Sequence, residues 1–168
     1  MENKMFCFQC EQTAGCSGCT GKVGVCGKNA DVAALQDKLT GELIGLVRVT
    51  GDVVPTGNIL KLIIEGLFTT LTNVSFNEQT LNELIEKVCT ERERLVPQCF
   101  ACASPCGTNN EYDLSHIWTD NEDIRSLKSL ILFGIRGMAA YAYHAMVLGY
   151  TNDEVSHFFV KALFALGE

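Results

Sequence analysis

The stretch Asn29-Ala-Asp-Val-Ala-Ala-Leu-Gln-Asp-Lys-Leu-Thr-Gly-Glu-Leu-Ile-Gly-Leu-Val-Arg-Val-Thr-Gly51 sets Val32, Leu35, Leu39, Leu43 and Leu46 three or four residues apart. That spacing puts all five on one face of an α-helix. Asn29 is a good helix-capping residue and Gly51 a good terminator, so a helix is predicted from Ala30 to Thr50.

The same reading extends downstream. A second helix is predicted over Asn58 to Thr72, with Leu60, Ile63, Leu67 and Leu71 on its stripe. Ser75 with Glu78 has the capping-box pattern, and the third helix then carries Leu81, Leu84, Val88 and Leu95 towards Pro97. Thr119 with Glu122 repeats the pattern before a long fourth helix that Gly149 stops. Its apolar face reads Ile124, Leu127, Ile131, Ile135, Met138, Ala142 and Ala145. Thr151 with Glu154 opens a fifth helix carrying Val155, Phe158, Phe159 and Ala162. No stretch alternates apolar and polar residues over strand length. The expectation is an all-α fold, an antiparallel helical bundle of about five helices preceded by a cysteine-rich amino-terminal loop. Residues 1–28 are read as a head and 29–168 as the bundle, together one domain.

Two regions lack a period, the head and the loop from Pro97 to about Trp118. The head holds Cys7, Cys10, Cys16, Cys19 and Cys26 among five glycines within 28 residues. Thiolates this dense repel one another unless a cation or cluster neutralises them, and glycines let the backbone turn tightly around a compact inorganic core. The residues therefore point to a metal or iron–sulfur site. A disulfide framework is the weaker reading: nine cysteines is an odd count, and Met1 to Lys4 is too short and polar for a secretory signal. The cytoplasm is the default location. A structural zinc module from Cys7-x-x-Cys10 and Cys16-x-x-Cys19, with Cys26 spare, is a further alternative. The loop carries Cys99, Cys102 and Cys106, read as packing thiols or a reversible disulfide in preference to a second metal site completed by Cys89 or His116.

A chain of 168 residues that is 47% hydrophobic can bury a real core without staples. Its net charge of −7 argues against nucleic acid or an anionic membrane as partner. Leu130 to Tyr150 is long enough to cross a bilayer, but Arg136 and His144 interrupt it, and a core helix is the better reading. His144 is then expected to be a core residue with a hydrogen-bond partner and His157 a surface one.

Met5-Phe-Cys-Phe-Gln-Cys-Glu-Gln-Thr-Ala14, Gly18-Cys-Thr20 and Val23-Gly-Val-Cys-Gly-Lys28 resemble the amino terminus of the hybrid cluster protein family, also called prismane protein or hydroxylamine reductase. Val32 to Asp37 resembles the opening of that family's first helix, and the resemblance extends over the whole chain. It implies that Cys7, Cys10, Cys19 and Cys26 bind an electron-relaying [4Fe–4S] cluster, with [2Fe–2S] as the alternative. Cys16 is an additional thiol able to substitute for Cys19. The resemblance also implies a redox donor, ferredoxin-like or an NADH-linked reductase, as a partner. The family's second, hybrid Fe–S–O cluster is held by residues of later domains that this chain lacks. Reduction of hydroxylamine to ammonia, or of nitric oxide to nitrous oxide, would thus belong to a full-length enzyme of which this is the amino-terminal portion. No catalytic residue is assigned. A free-standing electron carrier is the alternative, and exposure of Phe158, Phe159, Leu163 and Phe164 would favour the portion of a larger enzyme.

Overall fold

A computed structural model describes residues 5–10, 15, 17–50, 57–95 and 112–168. The Asn29 side chain accepts a hydrogen bond from the Val32 N–H at 2.8 Å and starts α1, Ala30–Thr50. Among the described residues five further helices follow: α2 Asn58–Thr69, α3 Glu78–Leu95, α4 Ser115–Thr119, α5 Glu122–Val147 and α6 Asp153–Gly167. Among the described residues the only β-type pairing is one isolated bridge in the head. The all-α expectation holds.

Helix α1 is the centre of the bundle, packing against α3, α6 and α2, while α5 packs against α2, α6 and α4. Val32, Leu39, Leu43 and Leu46 are buried as their spacing predicted, and Leu35 is half-buried. They meet Ile63 and Leu67 of α2, Leu81, Leu84 and Val88 of α3, and Phe159, Leu163 and Leu166 of α6 in one continuous core. Burying each such side chain contributes about 1.5–3 kcal/mol.

Several expectations need correction. Asn121 and Asn152, not Thr119 and Thr151, are the caps of α5 and α6, accepting from the Ile124 and Val155 N–H groups at 3.0 and 3.1 Å. Asn77 does the same for α3, accepting from the Thr80 N–H. A capping oxygen stands two or three residues before the N–H it receives, here three in each case, and the asparagine at that position displaces the Ser or Thr further upstream. Helix α2 ends at Thr69, not Thr72, because the Thr70 hydroxyl donates to the Leu67 carbonyl and Asn73 takes a left-handed backbone conformation. The sixth helix, α4, lies in the stretch read as loop, where Tyr112, Leu114 and Ile117 are buried in the core. Five residues are too few to display a period.

The stop at Gly149 is as expected. The Gly149 N–H bonds the Met146 carbonyl and the Tyr150 N–H the Ala145 carbonyl, the paired bonds of a Schellman motif.

Helix α5 departs most from its predicted face. Ser129, Leu132, Ile135, Arg136 and Ala139 are buried, whereas Ile124 and Leu127 are exposed and Ile131, Met138, Ala142 and Ala145 are half-buried. His144 is exposed against the rings of Phe68 and Tyr143, so it is no core residue, while His157 is on the surface as predicted. Helix α5 is long and apolar enough, by length and composition, to cross a membrane. Its charged Arg136 is buried within the protein, against α1 and the end of α2. In α6, Phe159 and Leu163 are fully buried, Phe164 is half-buried and Phe158 is exposed, so Phe158 and Phe164 match the partial exposure considered for that end and the other two do not.

Candidate metal-binding head

The head is held to the bundle by a short piece of extended chain folded back on itself. Cys7 and Cys19 exchange both backbone hydrogen bonds, Cys7 N–H to Cys19 O at 3.0 Å and Cys19 N–H to Cys7 O at 2.8 Å. In such an antiparallel pair the two side chains share a face, with Cβ atoms about 5 Å apart. Gly18 makes the return possible. Its φ is +100°, and a Cβ there would stand 3.1 Å from the Phe6 ring and 3.3 Å from the Cys7 carbonyl oxygen. Both cysteines are buried, packed with Met5 and with Ala33 of α1.

Cys10 and Cys26 are half-buried. Cys26 lies in a turn closed by bonds from the Gly24 N–H to the Lys28 carbonyl and from the Gly27 N–H to the Gly24 carbonyl. Gly24 is the close-approach point of that turn: a Cβ on it would stand 3.2 Å from Cε of Met5 and 3.5 Å from the Cys26 Sγ. The turn thereby reaches the methionine that packs beneath Cys7 and Cys19. Cys16, Cys99, Cys102 and Cys106 lie outside the described residues. Among the described residues, no three His, Cys, Asp or Glu side chains converge on one metal-holding point.

Positive charge is built in behind the thiols. Lys28 is buried, with Nζ 3.8 Å from the Cys7 Sγ and donating to the Gln9 Oε1 at 3.1 Å. Gln9 in turn donates through Nε2 to the Asp37 carboxylate of α1, and its backbone carbonyl accepts from Nη1 of Arg136 at 3.4 Å. Phe8 packs on Trp118, with ring centroids 5.5 Å apart, and ties the head to α4. Burial pushes the Cys7 thiol above its ordinary value, opposed by Lys28 and the Gln9 backbone, with Asp37 and Cys10 adding to the rise. Burial thus favours the neutral thiol at Cys7, and any metal held there would have to displace its proton.

Gln9, Lys28, Asp37 and Arg136 are the partners that motif reading missed. The signal available was a charged residue inside an apolar helical run, Arg136 standing one position after Ile135 and three before Ala139. Cys89, on α3, is half-buried and pushed up to about 11 by burial and by neighbouring Glu42. His116 is exposed on α4 and stacks edge-on against Tyr112.

Asp37 lines a cleft of about 600 Å³ with Phe6, Lys38, Tyr112, Asp113 and Trp118. Burial raises its carboxyl to about 6, against the Gln9 hydrogen bond and the charges of Arg136 and Lys28, with Asp113 adding to the rise. The folded protein thus holds a proton that the unfolded chain releases near pH 4. This contribution to stability is complete below the unfolded value and is lost as pH rises through about 6. Thermal melts of the metal-free protein between pH 4 and 7 should show that downward slope. Asp37→Asn should flatten it, and an unchanged slope in the variant would assign the titration to another group.

Comparison with known proteins places this head. Residues 5–168 match the model of the Prismane/CO dehydrogenase family. Hydroxylamine reductase of Clostridium perfringens is 38% identical over 95% of this chain and 33% of its own length. Those of Methanocaldococcus jannaschii and Methanocella arvoryzae are each 39% identical, over 94% and 96% of this chain and 32% and 34% of their own lengths. The chain spans about a third of the length of the curated relatives it matches. With the family model covering the head and every helix, the chain belongs to the Prismane/CO dehydrogenase family.

Proposed function

We propose that this chain is the iron–sulfur electron-transfer portion of a hydroxylamine reductase, with Cys7, Cys10, Cys19 and Cys26 as the cluster ligands. The observation that carries the reading is the Cys7–Cys19 pair, two buried thiols opposed across a bridge with the Lys28 ammonium 3.8 Å from one of them. Soft thiolate donors backed by buried cations fit an anionic iron–sulfur cluster. When bound, such a cluster supplies one-electron storage, as [4Fe–4S] or alternatively [2Fe–2S].

The residues of this chain have defined parts in that role. The Cys7–Cys19 bridge orients two ligands, and the Gly24–Lys28 turn carries Cys26. Met5 and Ala33 exclude water from beneath the pair. Lys28 offsets thiolate charge and, through Gln9, links the site to Asp37. Reduction of hydroxylamine to ammonia, or of nitric oxide to nitrous oxide, belongs in this reading to the remaining catalytic domains of an enzyme about three times as long. That proportion is supported by the relatives' lengths. A ferredoxin-like protein or an NADH-linked reductase is the proposed donor and the cytoplasm the proposed location. The exposed Leu127, Leu130, Tyr141, Leu148 and Phe158 offer apolar surface for the further domains.

Iron, zinc and acid-labile sulfide per chain, measured on protein purified without oxygen, test the proposal. Equal iron and sulfide, near two or four of each, is the expected result and distinguishes the cluster types. About one zinc without sulfide would replace it with a structural zinc module. Cys26→Ala sharpens the test, since iron–sulfur binding should be abolished whereas a zinc site built from the other four cysteines should be untouched.

A further inference from the structure

Arg136 is 1% exposed at the middle of α5. Its guanidinium gathers three otherwise separate parts of the fold. Nε donates to the Thr70 hydroxyl at the end of α2 at 3.1 Å, Nη2 to the Thr40 hydroxyl of α1 at 3.1 Å, and Nη1 to the Gln9 carbonyl of the head at 3.4 Å. Gln9 stands between Cys7 and Cys10, so this last bond anchors the backbone that carries two of the proposed ligands.

All three acceptors are neutral oxygens. Burying a guanidinium is costly, and dipoles of neutral groups offset only part of that cost. The nearby groups of opposite sign are Asp37, Cys7 and Cys10, which favour the charged guanidinium in that order against burial. A single carboxylate that itself resists ionisation is a weak counter-charge.

We infer that Arg136 is a positioning residue for the cysteine head: it clamps the Gln9 backbone to α1, α2 and α5 and holds a permanent buried positive charge behind the thiolates, raising the reduction potential of a cluster bound there. The inference deepens the function proposed above and rests on it for the potential, whereas the clamp is independent of any metal.

The experiment compares wild type, Arg136→Gln and Arg136→Lys, using hydrogen exchange on metal-free protein and EPR-monitored redox titration on anaerobically loaded protein. In metal-free Arg136→Gln the Cys7 and Cys19 amides should exchange at least tenfold faster, while α3 amides keep their rates. In loaded protein the midpoint should fall by about 59 mV or more, the one-electron equivalent of a tenfold change in the reduction constant. Arg136→Lys keeps the charge, so its midpoint should stay near wild type even where fewer hydrogen bonds remain. A wild-type midpoint and wild-type exchange in Arg136→Gln would overturn the inference. So would a lysine variant displaced as far as the glutamine one, which would reduce Arg136 to a packing role. Should Arg136→Gln fail to fold, iron retained by Arg136→Lys at the wild-type midpoint supports the inference and iron lost overturns it. A wild type without iron and sulfide defeats the functional proposal and leaves the clamp to be decided by exchange alone.

Discussion

Gly41→Ala should lower the stability of this protein by about 3 kcal/mol or more, although it adds one methyl group in the middle of a helix. By helix propensity alone the change would stabilise by up to about 1 kcal/mol. The structure reverses the sign. A Cβ at Gly41 would stand 2.1 Å from the Tyr112 carbonyl oxygen and 3.3 Å from its carbon, contacts with backbone that no rotamer change relieves. Either α1 or the Tyr112 segment must move by about an ångström. That segment carries Leu114 and Ile117, 3% and 0% exposed, so displacing it withdraws two side chains worth about 1.5–3 kcal/mol each from the core. It also carries Trp118, on which Phe8 of the head packs. Urea unfolding of Gly41→Ala should show a lower midpoint with an unchanged slope, and a wild-type midpoint would mean that Tyr112 yields without cost.

The same glycine illustrates what was legible and what was not. The stripe of α1 could be read because one face is apolar and the other is not, and Val32, Leu39, Leu43 and Leu46 are indeed buried. The need for glycine at position 41 could not be read, since a close approach from residue 112 leaves no local mark in the sequence. In α5 both sides are apolar, with Leu127 and Leu130 exposed and Leu132 and Ile135 buried, so periodicity did not choose the face. Arg136 argues against a membrane span in the sequence. Its place in the core depends on Thr40, Thr70 and Gln9, three residues scattered over 61 positions of the sequence, and no spacing rule collects them. Capping oxygens were misplaced by one or two residues because Ser, Thr and Asn compete for the same position on nearly equal terms.

In the head, spacing identified five candidate thiols and could not rank Cys16 against Cys19. The backbone does. Cys19 faces Cys7 across two hydrogen bonds of 3.0 and 2.8 Å, which fixes its side chain beside a second buried thiol. Cys16 lies outside the described residues, so the discriminating test is mutational. Cys19→Ala should leave about a tenth or less of the iron and sulfide that wild type holds, because even outer-shell changes around a metal cost 10–100-fold in affinity and a lost ligand costs more. Cys16→Ala should retain both at wild-type levels. The bridge itself is made of main-chain atoms and survives either substitution, so helical content and melting of the metal-free proteins should match wild type and confine the difference to the missing sulfur. Retention in Cys19→Ala with loss in Cys16→Ala would move the ligand to Cys16. Loss in both would mean that the bridge geometry selects neither thiol alone, and that five cysteines are needed to hold the site.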